Sequence, residues 1–234
     1  MTKKMLLLLE GDVAGKVYQG QHPSMTVNET AALHDALQAK QQNWADVCDV
    51  MAFGEHAKEA CHVAMTFPMD HYYLADHADM PADQISLALA KWIKQGAYDI
   101  IMLDANARSG YYAAMLAAYL DYPVYQSMGW FDAGQAWQLK ALGAMGCQQI
   151  LTADRAVLAS LWRKIDSPDP LIKDLYHACD QAAETIELTS FLSSQEVNDA
   201  FEMMDKAKDF ASKKVNFIHC AETFYASISY LRGL

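Results

Sequence analysis

The stretch Tyr98-Asp99-Ile100-Ile101-Met102-Leu103-Asp104-Ala105-Asn106-Ala107-Arg108-Ser109-Gly110-Tyr111 decides the fold class. Its first six residues are the clearest strand in the chain, a buried run of the kind that central parallel strands show. The run stops at Asp104 and gives way to a short polar turn, Ala105 to Gly110. A small-residue helix, Tyr111 to Leu120, follows and ends before Pro123. A strand, a polar turn and a helix start in this order put backbone N–H groups at the carboxyl edge of a sheet, where α/β folds hold ligands.

Upstream, short apolar runs alternate with amphipathic stretches, as in βα units that build a parallel sheet. Met5 to Leu9 reads as a first strand, Val47 to Phe53 as a second ended by Gly54, and His71 to Leu74 as a short third. Between them lie helices over Asn28 to Gln42, rich in alanine and leucine, and over Glu55 to Met65. Pro81 opens a further helix that Gly96 closes. Downstream, Val124 to Met128 is another strand, Trp130 to Gln138 alternates weakly, and Gln148 to Thr152 returns to the core. From Ala153 onward the residues read as mainly helical, with breaks at Ser167 to Pro170 and Ser190 to Gln195. The expected organisation is an α/β domain over 1–187, doubly wound around a mostly parallel sheet, with a helical C-terminal arm over 188–234.

Composition narrows the function. The 234 residues are 53% hydrophobic and 20% charged, enough to bury a core and too apolar for a disordered chain. A formal charge of −11 repels phosphate backbones and anionic lipid, and adjacent basic residues come only in pairs such as Lys3-Lys4 and Lys213-Lys214. Neither nucleic-acid binding nor membrane insertion is expected, since no apolar run reaches the roughly 18 residues of a span. Cys48, Cys61, Cys147, Cys179 and Cys220 are scattered and odd in number, which points to buried structural thiols in a reducing cytoplasm.

The best candidate site is the turn from Asp104 to Gly110, because helix-start amides bind anions and Arg108 adds a charge for phosphate. The same residues also read as an ordinary surface turn with Ser109 capping the helix. Glu10, Gly11 and Asp12 end the first strand at the same edge. Asp70, His71, Asp76, His77 and Asp79 have ligand-like spacing, yet a strand and the loop after it more often make a solvated edge than a metal site or a hydrolase centre. Trp130, Phe131 and Trp137 suit packing in a core or between subunits, or stacking on a flavin ring.

Taken together, several blocks resemble the β subunit of the electron transfer flavoproteins. Asn106-Ala107-Arg108-Ser109-Gly110-Tyr111 followed by Leu116-Ala117-Ala118-Tyr119-Leu120-Asp121-Tyr122-Pro123 is similar to the family's D-G-D-T-G-Q turn and L-A-x-x-L-G-x-P helix. Met25-Thr26-Val27-Asn28-Glu29 resembles its M-N-P-F-D/C-E block, Ala52-Phe53-Gly54 with Ala64-Met65 and Asp70 its S-x-G…A-L-x-M-G-A-D block, and Ile150-Leu151-Thr152-Ala153-Asp154 its A-V-L-T-A-D strand. Arg108 stands where the family has an acid, Tyr111 where it has glutamine, and Arg155 to Ala159 where it has an N-E-P-R-Y run. The resemblance implies a subunit without substrate chemistry of its own, pairing with an α-like subunit that carries FAD. It implies an acyl-CoA-type dehydrogenase or another redox protein as further partner. It also implies AMP or a second FAD bound by Leu9, Glu10, Phe53, Asp104, Asn106, Arg108, Ser109, Gly110 and Tyr111. A stand-alone homodimeric nucleotide-binding module of the same α/β type is the alternative.

Overall fold

The computed structural model describes residues 3–11, 26–77, 80–104, 107–131, 138–142, 148–152, 154–160 and 181–196. Contacts divide the chain into two compact units, Met1–Leu192 and Ser193–Leu234. In the first, one sheet is built from β1 (Lys4–Leu9), β2 (Val47–Ala52), β3 (Tyr72–Asp76), β4 (Ile100–Leu103), β5 (Val124–Phe131), β6 (Gln138–Leu142), β7 (Gln148–Thr152), β8 (Ala156–Ser160) and β9 (Glu184–Glu187). The strand order is β7-β6-β5-β8-β4-β1-β2-β3-β9. From β5 to β9 the seven neighbours run parallel, and β6 and β7 extend that edge as an antiparallel pair. This is the expected doubly wound α/β architecture.

The two faces of β1 explain the layering. Met5, Leu7 and Leu9 pack with α1 (Val27–Gln41) and α2 (Ala57–Ala64) on one side. Leu6 and Leu8 pack with α3 (Ala82–Gly96) and α4 (Ala107–Leu120) on the other. With helices on both faces, a strand in the middle of the sheet has no solvent side, which is why Met5 to Leu9 are all apolar and at most 1% exposed.

Three readings are corrected. Within the stretch after Ala153 that reads as mainly helical, Ala156–Ser160 is instead strand β8, inserted between β5 and β4, with Ala156, Val157 and Leu158 buried. Alanine and leucine favour a helix locally, and pairing with two distant strands overrides that preference. Gln148–Thr152 does not return to the core of the sheet but forms its outer antiparallel strand. The helix after β4 begins at Ala107 rather than Tyr111, so Ala107 to Gly110 are its first turn. Gly96 is the last residue of α3, as expected, and Ala97 after it takes the left-handed conformation at φ 53°. The expected C-terminal helices lie outside the described residues beyond Glu196.

Candidate functional site

Chain order fixes where a site can form. After β1 the chain winds outward through β2 and β3, then crosses back to place β4 on the opposite side of β1. The reversal leaves a crevice between the carboxyl ends of β1 and β4, the usual ligand position in such sheets. The residues ending those two strands are Glu10 and Asp104, which are 3% and 1% exposed. Carboxylates are seldom so deeply buried without partners, so both mark a polar site within an apolar sheet edge.

Local geometry builds the surroundings. The Ser109 hydroxyl, in the first turn of α4, donates to the Asp104 carboxylate and is itself buried. Ser109 is therefore a tether between helix start and strand end, not the cap the sequence suggested. The same first turn directs its leading amides toward the carboxyl edge, since they have no acceptor within the helix. Gly110 is half-buried, and the Tyr111 ring stands 45% exposed beside it. Arg108 joins the helix through its backbone, while Asn106 lies outside the described residues.

On the β1 and β2 side, the Phe53 N–H donates to the Leu9 carbonyl at 2.9 Å. The Phe53 ring meets Tyr112 of α4 edge-on, with centroids 5.0 Å apart. Leu9 and Phe53 are buried at this edge. Gly54 has φ 97°, and a Cβ there would fall 1.9 Å from the Glu10 carbonyl oxygen. The glycine lets the ends of β1 and β2 converge.

Thr26, Glu29 and His77, which the sequence analysis does not place at this edge, complete the frame. Glu29 accepts from the Gly11 N–H at 2.9 Å and from the Thr26 N–H at 2.8 Å, while the Thr26 hydroxyl accepts from the Glu29 N–H. This capping box ties the start of α1 to the end of β1, and the T-x-x-E spacing of Thr26 and Glu29 is a signal that identifies it. The His77 Nε2 accepts from the Gly54 N–H at 3.1 Å. A cleft of about 550 Å³ opens between Lys58, Asp76, His77 and Thr185, beside the switch point rather than in it.

The acids and histidines between Asp70 and Asp79 are split by β3. Asp70 binds Lys40 at 2.8 Å and the Cys48 N–H at 2.7 Å, and His71 sits at the amino end of the strand. His77 lies past the carboxyl end, roughly 20 Å away at strand rise; Asp79 is outside the described residues. Among the described residues no three potential metal ligands converge. Cys48 and Cys61 are buried thiols whose pKa is pushed up by burial, to about 12 and about 11. The other three cysteines lie outside the described residues, as does Trp137; Trp130 and Phe131 fall on β5, opposite Leu139 and Gln138.

The electron transfer flavoprotein domain model matches residues 18–185. The chain belongs to the electron transfer flavoprotein family. The match runs from before α1 to the start of β9; it takes in Asp104 and the start of α4, while β1 and Glu10 precede it. No individual curated protein matches the chain. Of the stretch that stands in place of the N-E-P-R-Y run, Ala156 to Ala159 belong to strand β8. Among the described residues no helix is long and apolar enough to cross a membrane.

Proposed function

We propose that the chain is a β-like subunit of an electron transfer flavoprotein, pairing with a flavin-bearing α-like subunit and holding AMP or a second FAD at its carboxyl edge. The observation that supports this reading best is the pair of buried acids, Glu10 and Asp104, flanking the strand-order reversal beside the start of α4. In kind, the donor set fits a nucleotide. Carboxylates at strand ends accept hydrogen bonds from ribose hydroxyls, and amides of a helix start suit phosphate.

A bound flavin supplies the electron-carrying ring, while the protein supplies position and electrostatics. In this reading Glu10 orients the sugar, and Asp104 both faces the crevice and holds α4 through Ser109. Arg108 and Asn106 contribute to phosphate binding, as the family resemblance implies, and the exposed Tyr111 ring offers a face to the ligand or to the partner subunit. An acyl-CoA-type dehydrogenase or another redox protein exchanges electrons with the heterodimer, in the cytoplasm.

Co-expression with a flavin-bearing α-like subunit tests the pairing. A heterodimer that co-elutes with a flavin absorption spectrum is the expected result. A chain that elutes as a nucleotide-bearing homodimer in the presence of that subunit would instead select the stand-alone module.

A further inference from the structure

The amino edge of the same sheet carries an arrangement that the flavoprotein reading does not use. Asp49 sits in the middle of β2, its side chain only 4% exposed, among residues that are otherwise apolar. One of its oxygens is 2.6 Å from the Tyr98 hydroxyl, which donates to it, and the other is 2.8 Å from Nδ1 of His71. With both oxygens accepting, Nδ1 carries the proton and Nε2 of the neutral ring keeps its lone pair. The His71 side chain is 62% exposed, so a deeply buried carboxylate holds an outward-facing imidazole in one tautomer. Burying a charge is costly, and a well-packed apolar residue at position 49 would serve the strand at least as well.

Around that imidazole lies a cleft of about 370 Å³. Its walls are aromatic: His71 lies 6.3 Å from Tyr73, Tyr73 5.0 Å from Trp92, and Trp92 stacks on Tyr98 at 5.5 Å between centroids. Its charged groups are Asp49, Glu184 at the start of β9, and Lys4, whose ammonium donates to the Gly96 carbonyl at 3.2 Å and lies 5.9 Å from the Tyr98 ring centre. A proton acceptor backed by a carboxylate, flat apolar walls and a cation together suit one kind of ligand.

We propose that this amino-edge cleft is a second binding site, for a planar, weakly acidic molecule of the phenol class whose O–H is taken by His71. The proton passes from the ligand oxygen to Nε2, giving an imidazolium paired with Asp49 and a phenolate facing the Lys4 ammonium. Trp92 and Tyr73 hold the ring. Asp49 acts through His71 and is a positioning residue. The site is independent of any nucleotide at the carboxyl edge.

The probe is 4-nitrophenol, whose visible absorbance distinguishes its neutral and ionised forms. Titrating the full chain into a buffered solution where the neutral form prevails should raise the phenolate band saturably. His71→Asn keeps a donor for Asp49 but lacks Nε2, and should raise Kd roughly tenfold or more, the effect of losing one charge-assisted hydrogen bond. Asp49→Asn should retain ring stacking, read as quenching of the tryptophan fluorescence that a Trp92→Phe background removes, while losing the phenolate signal. Circular dichroism confirms that each variant folds, and because His71 is exposed, its variant stands even if Asp49→Asn does not fold. No saturable phenolate signal from the wild-type chain, or an unchanged one from His71→Asn, would overturn the proposal.

Discussion

Gly54 and Ala97 show how single residues set the path of the chain. At Gly54 both the left-handed φ of 97° and the 1.9 Å approach to the Glu10 carbonyl forbid a side chain. Gly54→Ala should cost about 3 kcal/mol or more, read as a lowered urea midpoint, because the clash is with backbone rather than a movable side chain. Ala97 is the opposite case, a left-handed helix cap without glycine, and Ala97→Gly should add about 0.5–1 kcal/mol in the same assay. The buried thiols give a pH prediction. Between the ordinary thiol value of 9.0 and values near 11 and 12, the folded protein keeps protons that the unfolded chain has lost. Their contribution is therefore intact below pH 9 and declines as pH rises through that window, a fall that urea midpoints at stepped alkaline pH should show. Glycine at 54 was legible as a strand terminator, since turns favour it. The approach that makes it indispensable was not, because it depends on where β1 ends.

At the scale of elements, local pattern was read well where an element is long or continuously apolar and poorly where it is short. Met5 to Leu9, Val47 to Phe53 and Tyr98 to Leu103 are recognisable as strands because residues buried on both faces leave few polar positions, Asp49 and Asp99 being the exceptions. β8 was missed: Arg155 followed by Ala-Val-Leu-Ala reads as the start of a helix, and only pairing with β4 and β5 makes it a strand. The test is Leu158→Ala, which should cost about 2–4 kcal/mol in chemical denaturation as a core truncation, against well under about 1 kcal/mol for an exposed helical site. β9 escaped for another reason, since Glu-Thr-Ile-Glu at a sheet edge is four residues long and half charged. The early start of α4 also matters for function, because it turns Ala107 to Gly110 from a flexible turn into a preorganised row of helix-start amides.

For the whole molecule, alternating strands and helices foretold a doubly wound sheet, whereas strand order had to be seen. Once β4 is placed across β1 from β2, Glu10 and Asp104, separated by 94 positions in sequence, flank one crevice. The candidate residues at the ends of β1 and β4 were thus legible as strand-terminating acids. Their neighbours Glu29 and His77 come from elements that only tertiary packing brings to that edge. The acidic chain, at −11, fits a ligand held by specific amides and hydroxyl acceptors rather than by a general positive field. The most direct measurement is mass spectrometry of nucleotides released by denaturing the purified heterodimer with a flavin-bearing α-like subunit. The prediction is one FAD per heterodimer together with AMP or a second FAD, the additional nucleotide alone being lost in a Glu10→Ala, Asp104→Ala double variant. A complex whose wild-type form releases no nucleotide beyond one FAD, or whose nucleotide content is untouched by the double substitution, would contradict it.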